Sequence, residues 1–280
     1  MHAEFHRRKN MKTDMPLLIA IDIDDTLLPK SKIVDKNDKL AIQAARDAGV
    51  FVTLATGRGF LGSKPVIDEL DLSGPVINYG GAIISDAKTG KLLHADSLPP
   101  EYVCELLLLA DELGVHSHLY QGDAIIYRVQ NEYPIRYAAA LGLPSVIDPD
   151  ADKKRWENTP KVLYMTTTEN VERLYPMLKR RYEGKLEVAL SSPGFIEFNM
   201  LGSNKGSALK WVADKMGIPR ERIIAMGDNT LDREMLLYAG VGIAVDNARD
   251  EIKAIADDIA PPCGGAVCAV IEKYLNITVK

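Results

Sequence analysis

After Pro16 the chain runs Leu17-Leu18-Ile19-Ala20-Ile21 and ends in Asp22. A short apolar run without polar alternation predicts a strand covered on both faces, as in parallel α/β sheets. Across 35–48, Leu40, Ile42, Ala44 and Ala45 recur at helical spacing and stop at Gly49, a helix-ending residue. Val50 to Ala55 predicts a second buried strand, 59–70 a second helix and Pro75 to Ile77 a third strand. The order β-α-β-α-β predicts a right-handed, doubly wound sheet.

The rhythm then changes. Residues 82–93 read as a hairpin around Lys88-Thr89-Gly90, and 99–113 as an apolar helix. Alternating strands near 115–120 and 124–129 turn at Gly122-Asp123, followed by a helix near 131–141. A strand at 161–167, a helix at 169–183 and two strands within 185–200 complete a block of α+β character. Past Met200 the first rhythm returns: helix 203–216, strand 222–225, helix 231–239, strand 241–245 and helices near 248–256 and 264–275. The expected organisation is a disordered extension over 1–15, an α/β core domain built from 16–84 and 199–280, and an inserted α+β domain over 85–198.

Composition narrows the partners rather than the fold. With 46% hydrophobic and 26% charged residues, 280 residues can bury a core without metal or disulfide staples. A formal net charge of −5 gives the molecule no bulk affinity for nucleic acid or an anionic membrane. No run approaches the roughly 20 apolar residues of a membrane span, and the first fifteen residues lack the apolar stretch of a signal peptide. The three cysteines, Cys104, Cys263 and Cys268, suit neither a disulfide framework nor a zinc knuckle; they are expected as free thiols in a reducing cytoplasm.

Candidate chemistry collects at strand ends. Asp22-Ile23-Asp24-Asp25-Thr26 follows the first strand, the end of an open parallel sheet where ligands bind. Residues i and i+2 of a strand point the same way, so Asp22 and Asp24 reach one volume. Two close carboxylates repel unless a hard dication such as Mg²⁺ sits between them. Thr56-Gly57-Arg58 closes the second strand, a hydroxyl and a glycine amide suited to cradle phosphate. Lys205 opens a helix, where a cation is disfavoured and so needs a carboxylate or phosphate partner. Asp228 ends the strand before 231–239, and Asp232 lies about one helical turn on.

In this order, Asp22-x-Asp24-x-Thr26, Thr56, Lys205 and Asp228-x-x-x-Asp232 resemble the haloacid dehalogenase superfamily in its phosphatase branch. Leu54 to Arg58, Val76 to Ile84, Asn204-Lys205-Gly206 and Val241 to Ala248 extend the likeness to the Cof-like phosphatases, which carry a type IIB α+β cap. The resemblance covers residues 16 to 275. It implies a Rossmann-like core with an inserted cap, and a hydrolase of small phosphorylated metabolites acting as monomer or homodimer. Asp22 is implied as nucleophile and Asp24 as acid and base, with Mg²⁺ held by Asp22, the Asp24 carbonyl and Asp228. Thr56, Gly57, Arg58 and Lys205 are implied at the phosphate, Gly80 and Gly81 in the substrate loop, and Asp232 orienting Lys205 or a metal water.

Two positions depart from the pattern. Leu231 stands where the family usually has a phosphate-contacting Asn, with Asn229 as a partial substitute. Gly80 replaces the Asn of the usual Asn-Gly-Ala motif. Two alternatives stay open: a phosphomutase or other phosphotransferase sharing Asp22 and Asp24, and a weakly active phosphate-binding regulator, which the Leu231 change permits. His116 and His118 alternate on one strand and offer metal ligands, but no third ligand is spaced for them, so they are expected at a surface or interface. Tyr120, Tyr127, Arg128 and Arg136 are candidates to line the leaving group, and Lys153-Lys154-Arg155 reads as a solvated loop.

Overall fold

The computed structural model describes residues 17–191 and 193–279, with only the backbone at 140 and 141. The extension expected over 1–15 lies outside the described residues. In chain order the first elements are β1 (Leu18–Ile21), α1 (Lys36–Asp47), β2 (Phe51–Leu54), α2 (Phe60–Glu69), β3 (Pro75–Asn78), β4 (Ile83–Asp86) and β5 (Leu92–Ala95). Next come α3 (Pro100–Leu113), β6 (His116–Gln121), β7 (Ala124–Tyr127), α4 (Glu132–Leu141), β8 (Ser145–Ile147), β9 (Lys161–Met165), α5 (Thr168–Arg181), β10 (Leu186–Leu190) and β11 (Phe195–Met200). The chain ends with α6 (Lys205–Met216), β12 (Ile223–Gly227), α7 (Arg233–Tyr238), β13 (Val241–Val245), α8 (Asp250–Lys253), β14 (Asp258–Ala260) and α9 (Ala266–Leu275).

Two compact units emerge. The first holds the described residues up to Thr56, then Val66–Ile77 and Asn204 onwards; the second holds Gly57–Pro65 and Asn78–Ser203. The sequence boundaries at 84 and 199 differ from this division. The reason lies in one set of contacts: the Tyr79 hydroxyl donates to the Gly122 carbonyl at 3.0 Å, and Asp123 accepts from the backbone amides of Phe60 and Leu61. These bonds bind 57–65 and 78–81 to the β6–β7 hairpin.

In the first unit, parallel strands run in the order β14-β13-β12-β1-β2, and Ala55 bridges Ile77 to bring β3 in beside β2. Every residue of β1 is fully buried, as its unbroken apolar run requires. The chain starts in the middle, moves outward through β2 and β3, and returns on the other side of β1 with β12. The reversal falls between β1 and β12, the crevice where doubly wound sheets bind ligands. Asp35 caps α1 by accepting from the amides of Asn37 and Asp38. Buried Asp38 in turn accepts from Gly265 and Cys268 amides at 2.9 and 2.7 Å, so a carboxylate on α1 caps α9 from outside it.

The second unit is a six-stranded sheet ordered β10-β11-β9-β6-β7-β8, antiparallel except for β7 with β8, beside the β4–β5 hairpin. Alternation divides its residues between two faces. Leu119, Val162, Tyr164, Ile196 and Phe198 pack against Leu106, Leu107, Leu174 and Leu178 of α3 and α5. Tyr120, Ile125, Tyr127, Leu163 and Met165 form a separate cluster with Ala138 of α4. Two short strands, β8 and β14, were not expected, and α8 is shorter than the helix expected over 248–256. Among the described residues no helix is long and apolar enough to cross a membrane, and the cysteines are free thiols.

Candidate active site

Parallel pairing of β1 with β12 puts the two acid-bearing loops side by side: Ile21 is level with Met226, and the Asp22 amide donates to the Met226 carbonyl at 3.0 Å. On the other side, Ala55 donates to the Ile21 carbonyl, which brings buried Thr56 to the end of β2 next to the same loop. Asp22, Thr56 and Asp228 thus share one edge because three apolar runs end there in register.

Lys205 reaches this edge from the start of α6. Asn204 caps α6 in a reciprocal box with Ser207, which fixes Lys205 as the first helical residue. Its ammonium donates to Asp22 Oδ1 at 2.5 Å and Asp232 Oδ1 at 2.6 Å, with all three side chains at most 4% exposed. The close approach depends on two glycines. A Cβ at Gly206 would lie 2.5 Å from the Glu234 carbonyl oxygen, and one at Gly227 would lie 2.4 Å from the Asp232 Cβ. Burial by itself would lower the Lys205 pKa, but the two carboxylates outweigh it and hold the ammonium above its ordinary range.

Asp232 is saturated. Its Oδ1 takes the lysine, and its Oδ2 accepts from the amides of Asp228 and Asn229 at 3.0 and 3.1 Å. Asp228 Oδ1 accepts from the Thr26 hydroxyl at 3.1 Å and the Asn229 carboxamide at 3.2 Å. The other end of that carboxamide accepts from the Leu231 amide, so Asn229 caps the turn at Thr230–Asp232 and is engaged locally at both ends. Leu231 itself is 58% exposed.

Burial is the strongest influence on Asp22 and pushes its carboxyl well above the usual range, against the opposing pull of Lys205. For Asp228, burial and then the Asp232 charge raise the pKa to about 6. Both shifts report burial first, with neighbouring carboxylates adding to it. Three carboxylates offer oxygens within 4.8 Å of one another, with one lysine among them, and Asp22 Oδ2 is buried without a hydrogen-bond partner. An all-oxygen donor set with excess negative charge and an orphaned oxygen fits a hard divalent cation. Asp22 and Asp228 have the oxygens to hold it; Asp232 has both of its own committed.

Asp24 sits half-buried in the turn after β1, where Lys32 Nζ lies 3.2 Å from its Oδ1. The remaining candidates belong to the second unit. Arg58 donates to the Gly62 carbonyl at 3.0 Å, closing the first turn of α2. Tyr79, Gly80 and Gly81 have φ of 50°, 66° and 113°, an unusual left-handed run that a tyrosine enters only when held. Space is open around a Cβ at Gly80. His116 and His118 are not at a surface as expected: both are buried, 3.2 Å apart, among Tyr120, Tyr127, Tyr133 and Tyr137. Alternation correctly puts them on one face, but α4 and its tyrosines roof that face.

A model of the haloacid dehalogenase-like hydrolases matches residues 19–263. The chain belongs to this family. The hydrolase is 31% identical over 255 residues to a 5-amino-6-(5-phospho-D-ribitylamino)uracil phosphatase of Bacillus subtilis, covering 86% of this chain and 91% of the relative. It is 30% identical over 249 residues to a pyridoxal phosphate phosphatase of Escherichia coli, with 86% and 91% coverage. Its fold matches a haloacid dehalogenase-like hydrolase from Bacteroides thetaiotaomicron with a TM-score of 0.82 and 26% identity, over 91% of this chain and 98% of that one. On these relations the hydrolase is a phosphoric monoester hydrolase, and its parallel core with an inserted α+β cap is the architecture of its neighbours.

Proposed function

We propose that the enzyme hydrolyses small phosphomonoesters in the cytoplasm, through a phosphoryl group carried on Asp22 and with Mg²⁺ as its cation. The observation that carries the reading is the ion-paired nucleophile: Asp22 is held on one oxygen by buried Lys205, while its other oxygen is buried and unpartnered. A carboxylate so placed is fixed in direction by one oxygen and short of a partner on the other.

In the first step an Asp22 oxygen forms a bond to phosphorus as the bond from phosphorus to the ester oxygen breaks. Asp24 gives its proton to the departing alkoxide. In the second step water attacks the phosphorus, Asp24 takes a proton from it, and the bond to Asp22 breaks to release inorganic phosphate. Lys205, the Thr56 hydroxyl and the Gly57 amide are assigned to the phosphoryl oxygens, with Arg58 beside them, and Gly80 and Gly81 to the substrate loop. Asp22, the Asp24 carbonyl and Asp228 would hold Mg²⁺, which would supply charge neutralisation at the phosphoryl group, the main need in phosphoryl transfer. Asn229 and Asp232 support this arrangement from behind, through the Asp228 loop and Lys205. Residues 85–198 are assigned as the cap.

Two relatives act, by name, on a phosphorylated ribitylaminouracil and on pyridoxal phosphate. Phosphorylated cofactors and their precursors therefore stand beside sugar phosphates as the substrate class. The test is a screen with Mg²⁺ of 4-nitrophenyl phosphate, pyridoxal phosphate and a panel of sugar phosphates, run beside Asp22→Asn and Asp24→Asn. Turnover by the wild type and none by Asp22→Asn supports the reading. Equal rates for the two on every compound refute it.

A further inference from the structure

Asp24 is the acid of the proposed mechanism, yet no regular element holds it. β1 ends at Ile21, and the chain turns through Asp24 and Asp25, with a bridge from Asp24 to Leu28. Asp25 is left-handed, with φ 60°, a conformation that aspartate enters more readily than most residues but still less freely than glycine. Glycine would adopt it freely, so with aspartate here the turn depends on its outside contacts.

Those contacts can be traced atom by atom. The Asp25 amide donates to the Leu28 carbonyl at 3.0 Å, inside the turn. The Asp25 carbonyl accepts at 2.7 Å from the carboxamide nitrogen of Asn247, two residues beyond β13. The carboxamide oxygen of Asn247 accepts from the Cys263 amide, also at 2.7 Å. Asn247 is therefore pinned at both ends although it is exposed. The segment that carries it is tied to the second acid loop as well, since the Arg249 amide donates to the Asp228 carbonyl at 3.0 Å. Residues 247–249 consequently reach the Asp24–Asp25 turn and the Asp228 loop through the backbone carbonyls of Asp25 and Asp228.

We propose that Asn247 is a positioning residue that fixes the direction of the Asp24 carboxyl by clamping the Asp25 carbonyl. The proposal rests on the reading of Asp24 as the proton donor. When the clamp is lost, the left-handed turn relaxes and Asp24 drifts from the leaving oxygen, while Asp22, Lys205 and Asp232 keep their own contacts. The consequence is specific to the leaving group. An alkoxide departs only with a proton, whereas a nitrophenolate is stable without one. The kcat/KM value reports steps up to the departure of the leaving group, so later hydrolysis of the phosphorylated aspartate does not blur the comparison.

The experiment measures kcat/KM with Mg²⁺ for glycerol 2-phosphate and 4-nitrophenyl phosphate in the wild type, Asp24→Asn, Asn247→Ala and Asn247→Asp, with the melting temperature of each. Misplacing a catalytic group by about 1 Å can cost on the order of 100-fold, so Asn247→Ala is expected to lose about 10–30-fold on glycerol 2-phosphate and less than about threefold on 4-nitrophenyl phosphate. Asn247→Asp keeps the acceptor for Cys263 but loses the donor to Asp25, and is expected to share that selectivity. Equal losses on both esters, or wild-type selectivity in Asn247→Asp, overturn the proposal. If Asp24→Asn shows no preference between the esters, the reading of Asp24 itself fails and the role of Asn247 falls with it.

Discussion

At Asp22, a buried lysine lies within 2.6 Å of one oxygen of each of two buried carboxylates, Asp22 and Asp232. In the second unit, His116 and His118 lie just as deep, 3.2 Å apart, with tyrosines around them and no carboxylate bonded to either ring among the described residues. Burial there pushes His116 down to about 4 and His118 well below its usual range, so both rings are neutral at pH 7. The contrast teaches what burial costs: an ionisable group either brings an opposite charge into the interior or gives up its own. The first solution leaves a poised, charged edge for chemistry. The second leaves an aromatic wall that packs like any other core.

Removing Lys205 should break the comparison most violently. Lys205→Met leaves Asp22 and Asp232 buried without a counter-charge, and losing one partner of a buried pair costs about 3–5 kcal/mol. The urea midpoint should fall accordingly and turnover should vanish; a variant as stable as the wild type would mean that the carboxylates are not ionised in the folded protein.

The histidines should show the opposite behaviour through pH. His116 has a folded pKa of about 4 against an unfolded value near 6.5, so between these the unfolded chain binds more protons. Its contribution to stability is present above about pH 6.5 and is lost as pH falls towards 4, by up to roughly 3 kcal/mol. Asp228, raised to about 6, runs the other way, since the folded form binds more protons between its two values. Subtracting the stability profile of His116→Phe from that of the wild type, by urea titration from pH 4 to 8, isolates the histidine. A flat difference would contradict the buried neutral ring.

Leu231→Asn should have the smallest effect. The side chain is 58% exposed, so stability should move by no more than about 0.5 kcal/mol. If the amide reaches the phosphate, one added hydrogen bond to a charged group, worth about 1.5–3 kcal/mol, should lower KM for 4-nitrophenyl phosphate. An unchanged KM would assign that contact to another group.

These two regions also divide what was readable along the chain. β1, β2, β12 and β13 are apolar runs buried on both faces, so hydrophobicity alone marks them. Lys205 at a helix start announced a missing anion, and the structure supplies two. His116 and His118 misled because polar residues alternating on a strand suggest solvent; whether a helix roofs that face is a tertiary fact. Three-residue β8 is exposed throughout and carries no pattern to detect. Nor is there any local sign that Asp38 caps α9 or that Asn247 reaches Asp25, contacts spanning 227 to 230 and 222 residues.

The account turns on whether Asp22 itself receives the phosphoryl group. Acid quenching of the enzyme during turnover of 4-nitrophenyl phosphate with Mg²⁺, followed by peptide mass spectrometry, reads this directly. The predicted result is one added phosphoryl group on the peptide containing Asp22, absent in Asp22→Asn and abolished by prior hydroxylamine treatment. Product formation with the label on another residue, or with the same yield from Asp22→Asn, would contradict it.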